Sequence, residues 1–277
     1  MIKINNENLR IRPSAVEGFY SCAYSWGKTF LEGTARPASN SRASIGTAIH
    51  AGVEAMWNDA ITKGQADPNI GMMGDAAMEA WKEEMKNGMN YGKGEDENTC
   101  AVEIIKGTSA FVDDIVPFTP VPTAVEEFYT IPIKHVFVEE LGGTIDYISD
   151  DTIADVKTSK RKSGPEGHRV QQSIYRMLAN ENGRDIKHNL IQQVVMNKNP
   201  VGNILQLEPD IDQAKYLVNG ILDTLDLVAK DVAPIETILR PNPKHIFCSQ
   251  KFCPHYNSCP AIKGNLRPTQ SQVNIKL

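Results

Sequence analysis

The spacing of hydrophobic and polar residues along the chain predicts a mixture of helices and strands. Apolar residues recur at helical spacing in segments near 14–30, 45–61, 75–89, 97–116, 164–183 and 211–232. Strand-like apolar runs occupy 124–140, 141–149, 152–158, 189–198 and 202–209. Helices and strands alternate irregularly and without an internal repeat, which predicts an α/β fold.

The order of these segments predicts one domain over residues 1–277. Its parts are a helical insertion at about 45–116, a core at about 122–210, a C-terminal helix with a cysteine-rich segment at about 211–262, and a polar tail at 263–277. Near the amino terminus, helical spacing of Phe19, Cys22, Trp26 and Phe30 predicts one short helix that Ser14 caps.

The two runs at 141–149 and 152–158 flank the turn Ser149-Asp150-Asp151 and therefore predict a β-hairpin. Asp155 and Lys157 are two residues apart, so their side chains share one face of the second strand. Asp146 on the first strand can share that face. Two carboxylates and one ammonium group suit a divalent cation, a water and a phosphate, although a surface hairpin with ordinary charges is the commoner outcome for an isolated D-x-K.

The balance of charge limits the classes of partner. A net charge of −5 and a pI near 5.7 argue against a protein that coats nucleic acid with a broad basic surface. Nucleic acid bound at a cleft is still allowed, because bound cations would invert the local charge. A basic run beside the hairpin offers phosphate contacts, with a solvated loop as the alternative: Lys160, Arg161, Lys162 and Arg169.

The sequence predicts a cytoplasmic protein with no membrane partner. Residues 1–14 lack the apolar core of a secretory signal, and no apolar run approaches the ~18–20 residues that a membrane span needs.

Three late cysteines, Cys248, Cys253 and Cys259, lie within twelve residues of a proline-rich segment. Packing explains them poorly because such short loops bury little, so we expect them to bind zinc or an iron–sulfur cluster. Either group needs a fourth ligand, and the alternatives are Cys22, Cys100, His245 and His255.

Taken together, these features resemble the iron–sulfur members of the RecB-like branch of the PD-(D/E)XK nuclease superfamily. That group includes the AddB nuclease domain, CRISPR-associated RecB-like exonucleases and phage exonucleases. The motifs that match it in order are Gly46-x-x-x-His50, Gly143-x-x-Asp146, Asp155-x-Lys157, Gln171-x-x-x-Tyr175 and the late cysteines after Cys22. Three features depart from the pattern: Ala23 stands where proline is usual, Ile145 stands where the superfamily name has proline, and the gap between Cys248 and Cys253 is four residues instead of two.

The resemblance implies a restriction-endonuclease-like core with a mixed central sheet flanked by helices. Catalytic roles are implied for Asp146, Asp155, Lys157, Gln171 and Tyr175. It also implies that Mg²⁺ or Mn²⁺ is held by His50, Asp146, Asp155 and the backbone carbonyl of Val156, with Glu54 as a weaker candidate one helical turn after His50. A [4Fe-4S] cluster on Cys22, Cys248, Cys253 and Cys259 would clamp the two ends of the chain, and zinc is the alternative occupant.

The function that the resemblance implies is metal-dependent hydrolysis of DNA phosphodiester bonds. We expect an exonuclease acting on single-stranded or end-processed DNA in recombination, repair or phage DNA metabolism, in a bacterial or phage-infected cell, with a single-strand annealing or recombination protein as a partner. One alternative is a catalytically silent subunit that binds DNA ends or supports assembly with the same fold and cluster. Another is a cluster protein acting in electron transfer, which would leave the hairpin without a role.

Overall fold

The computed structural model describes residues 2–6, 8–34, 40–64, 68–86, 88–250 and 252–262, so the expected polar tail at 263–277 lies outside the described residues. The chain divides into two compact units. Unit 1 contains Met1–Pro37, Pro132–Glu140 and Tyr216–Leu277, and unit 2 contains Ala38–Ile131 and Leu141–Lys215. The single domain over 1–277 stays a prediction, because compactness alone does not decide whether two units fold independently.

The described residues form helices and strands in an interleaved order. The strands are β1 (Leu9–Ile11), β2 (Ala124–Pro132), β3 (Val138–Ser149), β4 (Thr152–Ser159), β5 (His188–Val195) and β6 (Val201–Leu207). The helices are α1 (Pro13–Ser21), α2 (Ala23–Phe30), α3 (Ser41–Lys63), α4 (Ile70–Lys86), α5 (Glu97–Asp114), α6 (Arg169–Glu181), α7 (Ile211–Ala229) and α8 (Ile235–Ile238). Short 3₁₀ turns occur at Val116–Phe118, Pro165–His168 and Tyr256–Ser258.

The sheet of unit 2 is mixed. β3 pairs antiparallel with β4, β4 runs parallel to β5, β5 pairs antiparallel with β6, and β2 also pairs with β3. The parallel strands β4 and β5 are joined through α6, which is the long crossover connection that parallel pairing requires. The predicted α/β fold with a mixed sheet flanked by helices is thus confirmed.

The hairpin expected around the acidic residues forms between β3 and β4. Tyr147 pairs with Ala154, and Ser149 pairs with Thr152 at the turn. Asp150 in the turn has a φ of 46°, a left-handed conformation that aspartate tolerates better than most residues. A tight turn with this conformation aligns the two strands so that their acidic residues lie side by side.

Helix α3 is longer than the predicted segment at 45–61 because both of its ends are capped. The Asn40 side chain accepts a hydrogen bond from the backbone N–H of Ala43 at 2.9 Å. At the other end Gly64 has a φ of 61°, the left-handed conformation that commonly ends a helix. Because the helix begins at Ser41, His50 lies in its interior and not near its first turn.

The core of unit 2 packs α3 between the sheet and α4. The rings of Trp57 on α3 and Tyr147 on β3 meet edge to face at 6.2 Å, and both side chains are buried. On the α4 side the helices approach so closely that a Cβ atom at Gly52 would lie 2.5 Å from the carbonyl oxygen of Met73. Glycine at position 52 is therefore required by packing.

In unit 1 the predicted single helix bearing Phe19, Cys22, Trp26 and Phe30 is wrong. The helix breaks at Cys22, whose φ of −162° and ψ of 93° are extended, so α1 ends before it and α2 begins after it. The rings of Phe19 and Trp26 still meet edge to face at 5.3 Å across the break. Cys22 consequently lies at a helix junction instead of on an aromatic stripe.

None of the helices among the described residues combines the length and apolarity that a membrane crossing demands.

Substitution of two glycines should separate the packing constraint from helix propensity. Gly52→Ala should lower the free energy of unfolding by about 1–3 kcal/mol, because the added methyl group collides with backbone. Gly74→Ala on α4 should raise it by about 0.5–1 kcal/mol, because nothing lies within 4 Å of the new Cβ and alanine is the better helix former. Urea denaturation measures both, and equal effects would contradict the close approach of α3 and α4.

Candidate active site

A glycine in the first turns of α3 sets the position of His50. A Cβ atom at Gly46 would lie 2.9 Å from the Oγ1 atom of Thr158 at the end of β4. Glycine therefore allows the helix to approach the strand, and His50 follows one helical turn later on the same face. The Nδ1 atom of His50 lies 3.4 Å from Oδ2 of Asp146. The spacing of the G-x-x-x-H motif thus has a packing reason as well as a chemical one.

Asp146 on β3 is held by the neighbouring strand of the hairpin. Its Oδ2 atom accepts a hydrogen bond from the backbone N–H of Val156 at 2.8 Å. The side chain is largely enclosed, and the same oxygen faces His50. Because the donor is backbone on β4, the carboxylate position depends on strand register and not on a flexible side chain.

Asp155 and Lys157 share one face of β4, as their spacing predicts. The Nζ atom of Lys157 lies 2.6 Å from Oδ2 of Asp155, and Asp155 is only 2% exposed. An ion pair this enclosed is screened little by water, so the ammonium group is tightly held beside the carboxylates.

Helix α6 brings its two predicted polar residues to the same place. The Nε2 atom of Gln171 donates to the hydroxyl of Tyr175 at 3.1 Å and lies 3.4 Å from Oδ1 of Asp155. Burial and the negative charge of Asp155 raise the pKa of Tyr175, so its hydroxyl stays protonated. Gln171 therefore links the helix to the carboxylate.

The structure adds a residue that the sequence analysis missed. Glu126 on β2 has a φ of 49°, and its carboxylate lies beside His50 and Asp146. One ligand atom from each of these three side chains lies within 4.8 Å of the others, an arrangement that suits a metal ion. No sequence motif includes Glu126, and the adjacent Glu127 is the same type of residue. Only the backbone conformation in the structure distinguishes the glutamate that lies beside His50 from its neighbour.

Burial and mutual repulsion perturb the carboxylates of this cluster. Burial, with the charge of Asp155 second, raises the pKa of Asp146 to about 6, against the lowering effect of His50. Burial, followed by the charges of Asp146, Glu54 and Asp155, raises the pKa of Glu126 to about 7. Crowded carboxylates of this kind require a countercharge or a proton.

An open cavity of about 520 Å³ exposes the cluster to solvent. Its walls include His50, Glu54, Glu126, Asp146 and Lys157, and Val156 also lines it. Glu54, predicted as a weaker metal candidate, thus faces the same cavity as the other groups. The cavity provides an approach for a substrate to the acidic side chains.

The basic residues after β4 are partly engaged. Lys160 forms an ion pair with Glu95 at 3.3 Å, and Arg169 pairs with Glu166 on the turn before α6. Arg161 and Lys162 are exposed. His168 lies close enough to the site for the charge of Lys157 to act on it. Burial, and then this charge, lower the pKa of His168. The phosphate-contact roles of these residues stay predictions.

Unit 1 gathers the four cysteines that the resemblance implies as ligands. Cys22, Cys248, Cys253 and Cys259 line one cavity of about 560 Å³, although more than two hundred residues separate the first from the others. Burial, and then the three other thiols, raise the pKa of Cys253. His245 lines the same cavity, whereas Cys100 is buried in the core of unit 2. Their role as ligands stays a prediction.

Comparisons with known proteins indicate a superfamily and a similar fold. A family model for the PD-(D/E)XK nuclease superfamily matches residues 10–260, which include both the acidic cluster and the four cysteines. The fold is similar to the crystal structure of a candidate exonuclease from Eubacterium rectale, with a TM-score of 0.58 over 94% of this chain and 90% of that one. The two sequences are 12% identical, so this likeness concerns the fold alone. No curated protein matches the chain significantly.

Binding of Mn²⁺ to the acidic cluster should strengthen as pH rises from 5.5 to 8. Below pH 6 protons occupy Asp146, with a pKa of about 6, and Glu126, with a pKa of about 7, and a cation must displace them. Isothermal titration calorimetry in buffers of different ionisation enthalpy should detect proton release at pH 6 that has largely vanished at pH 8. An affinity independent of pH would contradict these raised pKa values.

Proposed function

The chain belongs to the PD-(D/E)XK nuclease superfamily, and we propose that it is a divalent-cation-dependent deoxyribonuclease. The observation that carries the proposal is the convergence of Asp146, Asp155 and Lys157, with Asp155 ion-paired to Lys157 at 2.6 Å and Asp146 bonded to the backbone of the same strand. A surface hairpin would leave such charges solvated and apart. Here Asp146 and Lys157 line a cavity, and Asp155 is buried beside them.

The donor set supports Mg²⁺ or Mn²⁺ as the cofactor. His50, Asp146, Asp155 and the carbonyl of Val156 would hold the cation, and Glu54 faces the same cavity. When bound, the cation would lower the pKa of a coordinated water and offset charge on the phosphate. Among the described residues, Lys157 is the one cationic group that contacts Asp155. The chain itself therefore supplies little positive charge beside these carboxylates.

Lys157 is the group best placed to act on the reacting phosphate. Its ammonium is a compact charge that its contact with Asp155 holds at the cavity wall. From there it would orient the attacking water or stabilise charge that develops on the phosphate oxygens. Gln171 and Tyr175 would position Asp155 through the hydrogen-bonded chain on α6.

We further propose that the substrate is single-stranded or end-processed DNA and that cleavage is exonucleolytic. The name of the Eubacterium rectale protein of similar fold, a candidate exonuclease, supports only the exonucleolytic part of this proposal. Lys160, Arg161, Lys162 and Arg169 would contact the phosphate backbone, and the pairs Lys160–Glu95 and Arg169–Glu166 would open as DNA binds. Roles in recombination, repair or phage DNA metabolism, with an annealing or recombination protein as partner, belong to the same proposal.

The cysteine cavity supports a [4Fe-4S] cluster over zinc. A tetrahedral zinc site with Zn–S bonds of about 2.3 Å brings its sulfurs to roughly 3.8 Å from one another. Within the described ranges, no three cysteine sulfurs come within 4.8 Å of one another. The four cysteines nevertheless line one cavity, and this common lining is what supports the proposal of a cluster. Such a cluster would join the helix junction at Cys22 to the late cysteine segment.

Loss of Lys157 or Asp155 should abolish most of the nuclease activity. Lys157→Ala and Asp155→Asn should each lower the rate on labelled DNA by about 10²–10³-fold, because each removes charge acting on the transition state. Lys86→Ala is the matched control, since this exposed lysine of α4 pairs with Glu83. Time courses on 5′- and 3′-labelled single- and double-stranded DNA, with Mg²⁺ or EDTA, measure the rate and the polarity. Wild-type rates in both active-site variants would refute the proposal.

Cys22→Ser should reduce bound iron from about four atoms per chain to less than about one, because a cubane cluster needs all four thiolates. Cys100→Ser should keep its iron, since Cys100 is buried in the core of unit 2. Iron and acid-labile sulfide assays on anaerobically purified protein measure both. One zinc and no iron in the wild-type protein would contradict the cluster.

A further inference from the structure

We infer that a second cavity of unit 2 binds the phosphate backbone of the substrate strand, away from the bond that is cut. The inference rests on the proposed nuclease function and names contacts that no sequence motif includes. This lysine cavity has a volume of about 380 Å³, and its charged lining residues are Glu103, Lys106, Lys160 and Lys198. Of these, only Lys160 belongs to the basic run that follows β4.

The position of the lysine cavity relative to the active site is the first argument. Thr158 lines the active-site cavity, and Lys160, two residues later in the chain, lines the lysine cavity. Two residues of fully extended chain span about 7 Å at most. A DNA strand whose reacting phosphate lies in the active-site cavity can therefore reach the lysine cavity with a neighbouring part of its backbone.

Close packing at the end of β5 brings the lysines together. A Cβ atom at Gly107 would lie 2.8 Å from the Sδ atom of Met196, so glycine allows α5 to approach this segment closely. Lys106 directly precedes Gly107, and Lys198 follows Met196 by two residues. The backbone N–H of Met196 donates to the carbonyl oxygen of Ser159 at 2.6 Å. Helix α5, the turn between β5 and β6, and the segment after β4 therefore meet at this cavity.

The lysine cavity carries positive charge that the protein does not neutralise. Its acidic lining residue, Glu103, is already paired with Arg42. Lys106 and Lys198 are exposed, and neither takes part in an ion pair among the described residues. Two uncompensated ammonium groups in one concave site attract an anion, although the chain as a whole has a net charge of −5. The phosphate backbone of DNA is an anion of this kind.

Contacts of this type would position the strand without reading its sequence. The lysine ammonium is a compact charge that binds phosphate oxygens whatever base is attached to the sugar. A dinucleotide has only the phosphate that is cut, so it cannot occupy both cavities at once. The structure therefore predicts that the protein favours long strands over dinucleotides, because only long strands gain the additional contacts.

Binding in EDTA tests the contacts without cleavage. The probe is a single strand of about 20 nucleotides with hydroxyl groups at both ends and an internal fluorophore, and anisotropy is read at several KCl concentrations. Lys106→Gln/Lys198→Gln should weaken binding about tenfold and lower the slope of log Kd against log[KCl] by about 1.4, because each lost phosphate contact contributes about 0.7 for a single strand. Unchanged affinity, or weaker binding with an unchanged slope, would overturn the inference.

The matched control removes two charges elsewhere on unit 2. Lys82 on α4 and Lys215 on α7 are exposed and line neither the active-site cavity nor the lysine cavity. Lys82→Gln/Lys215→Gln should keep its affinity within about twofold of the wild-type protein, because these lysines lie outside the proposed path of the strand. Equal losses in the two double variants would mean that only net charge matters, and would overturn the inference.

Neutral methylphosphonate linkages, placed one at a time along the strand, identify the phosphate that the lysines contact. At one or more positions other than the reacting phosphate, the replacement should weaken binding to the wild-type protein by about threefold, and it should have little effect on Lys106→Gln/Lys198→Gln. If every replacement affects the two proteins equally, the lysines do not contact the backbone and the inference is wrong.

Cleavage with Mg²⁺ separates failure of this inference from failure of the proposed function. The ratio of kcat/KM for the long strand to kcat/KM for a dinucleotide should fall about tenfold in Lys106→Gln/Lys198→Gln. If the wild-type protein cleaves DNA and this ratio does not change, the nuclease function stands and the lysine cavity is not a phosphate site. If the wild-type protein cleaves no DNA, the proposed function fails and the inference fails with it.

Discussion

Repulsion among crowded, half-buried carboxylates is the constraint on which the active site of unit 2 depends. Asp146 and Glu126 have pKa values raised to about 6 and about 7, because burial deprives them of water and their nearest charged neighbours include other carboxylates. The fold maintains this arrangement with a backbone hydrogen bond to Asp146 and one lysine contact to Asp155. A site built in this way is poised to bind a divalent cation, since ion binding relieves the repulsion.

Close packing of α3 gives that cluster its geometry. Gly46 lets the start of the helix approach Thr158 on β4, and Gly52 lets the next turns approach the backbone of α4 at Met73. His50 lies between these two contacts, so the helix cannot shift without a collision on one side or the other. The helix that carries His50 is therefore positioned by close packing against the Thr158 side chain on one side and the Met73 backbone on the other.

The cysteine cavity of unit 1 brings together residues from distant parts of the chain. Cys22 interrupts a helical segment, and the extended residue turns its thiol toward a segment more than two hundred residues later in the chain. A group bound there would close a very long loop, which restricts the unfolded chain in the way that a disulfide does. The break in the helix at Cys22, which the sequence did not predict, thus lies where Cys22 lines the same cavity as the other three cysteines.

Sequence alone determined the hairpin and the residues on its acidic face, because strand alternation and turn chemistry are local properties. Asp155 and Lys157 had to share a face once β4 was a strand, and Gln171 and Tyr175 had to share one once α6 was a helix. Only the tertiary structure decided that Glu126 instead of Glu127 joins His50, and that Cys22 ends a helix. Those outcomes depend on a left-handed residue in β2 and an extended residue at a helix junction. Contacts between elements far apart in sequence stabilise such conformations, and no local pattern records them.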